Sequence, residues 1–439
     1  MANQTHPSPR QILAPAIIGN ILEWYDFALY GYFATIISKL FFPAPDPFTS
    51  LLTTFSVFAV GFLMRPLGAV IFGHFGDKVG RKKTLAASVI LMAVPTTLMG
   101  LLPTHTHIGV AAGILLTICR LLQGLAIGGE FSGSIVFITE HSPNHCRGLY
   151  GSWAMFSAFA GLLLGSAIGA LVSNVMPIEA LNAWGWRVPF ISGIFLGIIG
   201  LYLRLNMPET PAFTAAKKQK ELVSQPIFHA FRYAWKPMII GVGVDFLPAM
   251  AFYLLFVYLP TYMNLYLQVP LKTALIINSI SMAGIILVIP FAGLLSDTIG
   301  RKPILTIGAI SFIVFSYPLF LLLQQGNFAS LLLAQICFTL LMCLVCAAIP
   351  ATLVELMVTN VRYTAMSLPY NFSNAVFGGT APLVATYLIA KSNNHLAPAF
   401  YLIAAGIVML IFIFFLEESH RKELFEQYPW NGDTTNENT

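Results

Sequence analysis

Long apolar runs broken by short polar clusters fill this chain. A membrane-crossing helix needs roughly 20 mostly apolar residues, and twelve such runs are present, at about 12–40, 51–74, 84–103, 109–139, 149–174, 186–206, 237–265, 273–296, 304–324, 329–357, 365–390 and 396–416. Clusters of Asp, Gly, Arg and Lys, such as Gly76 to Lys83, separate neighbouring runs. Pro and Gly inside a run do not disqualify it, because neighbouring helices re-satisfy the freed backbone groups. A closed β-barrel would show short alternating segments. The unbroken apolar stretch Leu402 to Leu416 is of the other kind. The pattern predicts an all-α polytopic membrane protein with twelve transmembrane helices. The longest polar interval, Pro208 to Lys236, divides it into a first six-helix bundle (1–206), a linker (207–236), a second bundle (237–416) and a short tail (417–439).

Composition agrees. The 439 residues are 57% apolar and 9% charged, where a soluble domain carries about 25% charged residues. A soluble enzyme or nucleic-acid binder is excluded. The net charge of +5 matters less than its placement. With both termini inside, Lys39, Arg187, Lys272 and Lys391 fall outside and Arg65 and Arg120 fall within spans. The other seventeen of the 23 basic residues lie on the inner side, as the positive-inside rule asks. The polar start to Arg10, with Glu23 and Asp26 interrupting the first run, does not suit a cleavable signal peptide. The five cysteines form no CxxC pair and read as packing residues.

The two halves echo one another. Gly73, Asp77, Gly80, Arg81 and Lys82 recur as Gly293, Asp297, Gly300, Arg301 and Lys302, at a constant offset of 220. Glu140 and Arg147 recur as Glu355 and Arg362, at an offset of 215. Both echoes fall on inner ends, which signals a duplicated six-helix unit of parallel topology. The repeated Gly-x-x-x-Asp-x-x-Gly-Arg-Lys loop resembles that of the major facilitator superfamily. Gly19 to Phe27, Met64 to Gly68 and Arg120 to Glu130 narrow the resemblance to the metabolite:proton symporter family. That family includes bacterial proline/glycine-betaine, α-ketoglutarate, citrate, dicarboxylate and shikimate permeases. Pro303 departs from the pattern, standing where the first half has Lys83. The resemblance implies a proton-driven transporter in the bacterial inner membrane.

Ionisable groups inside hydrocarbon cost at least ~2.5–3.5 kcal/mol each and need a reason. Glu23 and Asp26 share a face of the first span, with Tyr30 a turn beyond. Two carboxylates this close repel, which favours a proton on one of them, although the pair could also hydrogen-bond neighbouring helices beside a vestibule. Arg120, Gln123, Ile127, Glu130 and Ser134 form a polar stripe on the fourth span. Arg120 and Glu130 are about 15 Å apart along it and cannot pair. Arg120 is therefore expected to face Asp26 or Glu23, as a switchable pair or as a permanent packing contact. Asp245 lies in a Gly- and Pro-flanked stretch that suggests an irregular helix lining a cavity. The proton-coupling candidates are Glu23, Asp26, Glu130 and Asp245. The substrate-binding candidates are Arg65, Arg120, Gln123, Trp24, Tyr30 and Tyr253. A cytoplasmic gate is expected from cross-pairing among Asp77, Arg81, Glu140, Arg147, Asp297, Arg301, Glu355 and Arg362.

Other features carry less. Gly124, Gly128, Gly129, Gly161, Gly165 and Gly169 have the small-residue spacing of close helix crossings. The aromatics crowding the first and seventh spans read as lipid-facing or interface belts, with a cation–π cage as the alternative. His105 and His107 are two residues apart and lack further metal ligands, so no metal site is expected. No cofactor is implied beyond the proton gradient. The expected partners are a small solute, protons and the bilayer, with no nucleic acid, and the chain is expected to act as a monomer. An exporter or drug antiporter of the same fold and a non-transporting sensor remain as alternatives. Arg65 and Arg120 favour a carboxylate-bearing solute, with a lean toward a monocarboxylate or zwitterion such as proline or betaine.

Overall fold

The computed structural model describes residues 9–79, 81–140, 142–206, 230–232, 234–357 and 362–420. Within these, the side chains of 9–16, 73–79, 81–85, 130, 137, 140, 203, 204, 206 and 363 lie outside the description, as do most of the linker and tail. Each of the twelve apolar runs contains a helix. They are α1 Pro9–Tyr32, α2 Pro47–Phe72, α3 Arg81–Leu101, α4 Val110–Glu140, α5 Arg147–Val175, α6 Arg187–Asn206, α7 Trp235–Tyr266, α8 Leu271–Ile299, α9 Arg301–Leu323, α10 Phe328–Leu356, α11 Thr364–Ser392 and α12 Ala397–Phe415. Among the described residues, nine are long and apolar enough to cross a membrane. The helix of α6 makes a tenth when joined to Ile178–Gly185 across a 48° bend. The other two expected spans are weaker for plain reasons. α1 carries Asn20, Glu23 and Asp26, and α3 is apolar over Ala86–Leu101, counted from the first residue whose side chain is described.

Local chemistry sets the ends. The Asp46 carboxylate accepts the N–H groups of Phe48 and Thr49, with Pro47 next to it, and so starts α2. The Asn327 side chain accepts the N–H of Ser330 and starts α10. Gly300, at φ +103°, takes the turn between α8 and α9. The outer surface carries exposed apolar residues such as Leu287, Phe291 and Phe414, as a lipid-facing surface should.

Three helices are broken where they meet the centre of the molecule. α2 turns at Met64, just before Arg65 and Pro66. α7 breaks at Asp245 and then passes through a π-helical turn at Leu254–Tyr258. α11 has a second π-helical turn at Asn374–Gly378. π-turns leave carbonyl groups without their usual helical partners, and neighbours use them. Asn278 Nδ2 donates to Phe256 O at 3.0 Å, and Gln335 Nε2 donates to Asn278 Oδ1 at 2.6 Å and to Leu255 O at 3.5 Å.

The halves meet where α5 lies along α8, α1 against α7, and α2 and α4 against α11. Within the first half, α2 and α4 cross backbone to backbone. A Cβ on Gly124 would overlap the Gly61 carbonyl, and one on Gly128 the Arg65 carbonyl. The interface is closed near both ends. At one end Ser166 donates to Leu275 O at 3.1 Å and receives the Ser279 hydroxyl at 3.0 Å. The charged cluster at the other end is described below.

Candidate transport site and gate

Arg120 on α4 is fully buried, and among the described residues no carboxylate pairs with it directly. This corrects the expected contact with Asp26 or Glu23. Arg120 Nη1 instead donates to Gln123 Oε1 at 2.7 Å, one helical turn on. Three rings surround the guanidinium, with centroids 4.1 Å (Phe27), 4.7 Å (Tyr30) and 5.0 Å (Phe58) away. Cation–π contact offsets part of the desolvation that an absent counter-ion leaves. Two of its nitrogens, Nε and Nη2, have no hydrogen-bond partner among the described residues. Tyr30 contributes only its ring, because its hydroxyl donates to Thr54 O at 3.0 Å. Gln123 Nε2 reaches Thr96 Oγ1 at 2.7 Å, and Thr96 adjoins Asp26. Glu23 and Asp26 line a cavity of about 20 Å³ between α1, α3 and α6, room for about one water.

Arg65 organises the contact between the halves. It lies at the α2 break, fully buried, yet reaches into the second half. Nη1 donates to the Tyr253 hydroxyl at 3.2 Å and Nε to Asn371 Oδ1 at 3.3 Å. Tyr253 OH lies 3.5 Å from Asn374 Oδ1, and Asn374 Nδ2 lies 3.5 Å from Asp245 Oδ2. A buried cation on one half is thus linked to a buried acid on the other through two neutral side chains. Arg65 Nη2 has no hydrogen-bond partner among the described residues. A second cavity of about 20 Å³ adjoins this network, lined by Trp24, Phe252, Tyr370, Asp245, Asn374 and Cys346 among others. The Arg65 guanidinium lies 6.0 Å from the Trp24 ring and 5.9 Å from that of Tyr370. The Trp24 indole N–H has no partner.

The aromatic runs are therefore not lipid belts. Trp24, Tyr25, Phe27, Tyr30, Tyr32 and Phe33 are buried, as are Tyr253, Phe256, Tyr258 and Tyr262. They pack against one another across the interface, as Trp24 does edge-on with Phe252 at 5.1 Å.

At one end of the bundle, Glu355 receives Arg301 from its own half at 3.0 Å and Arg147 from the other half at 3.4 Å. Asp297 pairs with Arg301 at 2.8 Å and accepts two backbone N–H groups across the interface, Gly148 at 2.8 Å and Leu149 at 2.9 Å. These N–H groups open α5, where the helix dipole favours a negative charge. A Cβ on Gly148 would collide with the Ser296 hydroxyl, so glycine is what permits the approach. Glu418, just past α12, accepts the N–H groups of Arg301 and Lys302, and Ser419 donates to Glu355 at 2.7 Å. Arg362 Nε donates to Met357 O at 3.1 Å. The side chains of Asp77, Arg81, Glu140 and Glu130 lie outside the described residues. No group of His, Cys, Asp and Glu among the described residues is arranged to hold a metal.

Residues 12–231 match the family described as sugar (and other) transporter, and residues 246–429 match the Major Facilitator Superfamily. The glycine betaine/proline/ectoine/pipecolic acid transporter OusA of Dickeya dadantii is 35% identical over 433 residues, spanning 97% of this chain and 86% of that one. The proline/betaine transporter of Escherichia coli K12 is 35% identical over 441 residues, with the same two spans. The chain belongs to the major facilitator superfamily. Among solved structures, the proton:xylose symporter XylE superposes with a TM-score of 0.77 at 17% identity, covering 95% of this chain and 97% of that one. That likeness shows the fold. As a member of the superfamily, the protein is a multi-pass membrane transporter and not an enzyme.

Several residues of this superfamily member's centre escaped the sequence reading. Ser367, Tyr370, Asn371 and Asn374 on α11 all join the interface, Asn371 Nδ2 donating to Gly128 O at 2.8 Å and Ser367 meeting Ser132 at 3.0 Å. Positions 367, 371 and 374 repeat at helical spacing in an otherwise apolar span, the same signal that picked out Arg120 on α4. Thr96 and Glu418 had no such signal, being one threonine beside another and one acid beside another.

Proposed function

We propose that the protein is a proton-coupled symporter that imports a small zwitterion of the proline or glycine betaine kind across the bacterial inner membrane by alternating access. The observation that carries this reading is the bipolar site between the halves. Arg65 offers an open N–H to a carboxylate, and Asp245 offers a negative charge to an ammonium. Trp24, Phe252 and Tyr370 supply aromatic surface of the kind that quaternary ammonium groups favour. A dianion such as citrate would find one cation and one acid there. The names of the 35%-identical relatives support the same solute class. The cavity has room for a water and not for an amino acid, so solute is admitted only when the halves part at one end. The Arg147–Glu355–Arg301–Asp297 cluster is the cytoplasmic gate, and the Ser166–Ser279 contact lies at the outer side. Glu23 and Asp26, which line the cavity between α1, α3 and α6, carry the coupled proton. The protein works as a monomer without a cofactor.

Reconstitution in liposomes tests this. An inward proton gradient should drive accumulation of proline or betaine, and the solute should protect Cys346, which lines the cavity, from alkylation. Accumulation of citrate or xylose instead, or gradient-driven export, would refute the reading.

A further inference from the structure

The Arg120–Gln123–Thr96 chain has a direction and ends beside Asp26. Arg120 Nη1 donates to Gln123 Oε1 at 2.7 Å, which fixes the amide so that its nitrogen points away. That nitrogen donates to Thr96 Oγ1, also at 2.7 Å. The Thr96 hydroxyl is fully buried and carries one proton, which it donates to Met92 O at 2.9 Å, within its own helix. Beside it stands Asp26, buried, with Oδ1 lacking any hydrogen-bond partner. α6 closes over both: a Cβ on Gly193 would lie 3.0 Å from Asp26 Oδ1 and 3.0 Å from Thr96 Cγ2.

A hydroxyl has one donor and two acceptor sites. While Asp26 holds a proton, its O–H can donate to the remaining Thr96 lone pair, and Thr96 keeps its own proton on Met92 O. Once Asp26 is ionised, a buried carboxylate without a donor costs far more than a released backbone carbonyl. The Thr96 proton then turns to Asp26. Every donor in the chain now points from the cation to the anion, an alignment in which successive hydrogen bonds polarise one another. The bond to Met92 O is the arrangement of the protonated acid.

We propose that Thr96 is the positioning residue for Asp26, its hydroxyl changing acceptors as the acid gains or loses its proton and passing that change through Gln123 to Arg120. All four residues belong to the first half, so the chain persists while the halves rock, unlike the Arg65–Tyr253–Asn374–Asp245 link. The described titratable and charged groups around Asp26 are Glu23 and Tyr25 on α1 and Arg120 on α4. α3 and α6 face it with Thr96 and Gly193. Tyr25 is already committed, its hydroxyl meeting Pro189 O and Ser192 at 2.9 Å.

The inference rests on Asp26 as proton carrier, so the test separates the two. Infrared difference spectra of the purified full-length protein, without solute, are recorded across a pH titration for wild type, Asp26→Asn, Thr96→Val and Thr96→Ser. Asp26→Asn should remove one pH-dependent carboxyl band. Thr96→Val should move the midpoint of that band by about one pH unit, and Thr96→Ser should restore it. In liposomes, Thr96→Val should shift the pH profile of proton-driven uptake while solute counterflow stays within about twofold, which shows that the variant folds. If Asp26→Asn removes no band, the proton assignment fails and the proposal falls with it. If the band belongs to Asp26 but Thr96→Val leaves its midpoint unmoved, or Thr96→Ser behaves like Thr96→Val, only the role given to Thr96 is overturned.

Discussion

Replacing Asp297 with Asn weakens the gate at its most concentrated point. The carboxylate holds three donors at once, Gly148 N, Leu149 N and Arg301 Nη1, at 2.8 to 2.9 Å. An amide has one acceptor oxygen, and its NH₂ would face a donor. At least one cross-half bond is therefore lost, together with the charge at the start of α5. A hydrogen bond to a charged group contributes about 1.5–3 kcal/mol, and a charge at a helix terminus about 0.3–2 kcal/mol. Their combined loss, about 2–5 kcal/mol, is about a 30- to 4,000-fold shift toward the state open at this end. Ser367 is the place to read it. It is buried, and its hydroxyl is 3.0 Å from that of Ser132 across the interface. In a background without the five native cysteines, Ser367→Cys should be alkylated by a membrane-impermeant maleimide in inverted vesicles. Adding Asp297→Asn should raise that rate at least tenfold. Cys146 is unsuitable as the probe. Burial, and then the charge of Asp297, push its thiol above its ordinary value, so Asp297→Asn would change its reactivity without any motion. A rate within twofold of the Asp297 parent would refute the gate.

Arg120→Lys should reduce proton-driven uptake more than tenfold while leaving insertion intact, because an ammonium cannot keep the Gln123 bond and cover three rings together; radiolabelled uptake against membrane abundance decides it. Gly124→Ala should lower the melting temperature in detergent, since its Cβ meets the Gly61 carbonyl, whereas Gly284→Ala, which meets nothing within 4 Å, should leave it level or raise it. Equal effects would show that α2 and α4 do not cross as described. Glu418→Gln should destabilise near neutral pH. Burial would raise this carboxyl, but the N–H groups of His420, Arg301 and Lys302, and the charge of His420, together hold it below its ordinary 4.5. A folded-state value below the unfolded one adds stability above about pH 4.5, and that stability is lost as the pH falls through the folded value. Melting curves of the two proteins should accordingly converge in acid.

The helices were legible because hydrocarbon permits so little else. Continuous apolar runs separated by short polar clusters were a local signal. The offset of 220 between the two loops announced the duplication before any coordinates. The irregular stretch at Asp245 was also visible, from its flanking Gly and Pro. Partner choice was not. Arg120 and Asp26 were both recognisable as costly buried charges, and the simplest expectation was that they meet. Gln123 and Thr96 intervene because α3 packs between them, which depends on helix rotation that no local pattern encodes. The aromatics of α1 and α7 misled for a related reason. A ring is equally at home against lipid or against another ring, and only the pairing of the halves decides which.

The π-helical turn at Leu254–Tyr258 makes the seventh helix one residue richer than a regular α-helix of the same span. Deleting a single residue there would leave the helix continuous, its hydrogen-bond ladder restored to normal spacing. The cost would fall on other helices. Phe256 and Leu255 would take back their carbonyls, leaving the amides of Asn278 and Gln335 without the acceptors that now tie α8 and α10 to α7. The extra residue of that turn thereby serves as an anchor for two neighbours. Reverting it would loosen the second bundle from within, while the sequence became, by every local measure, a better helix.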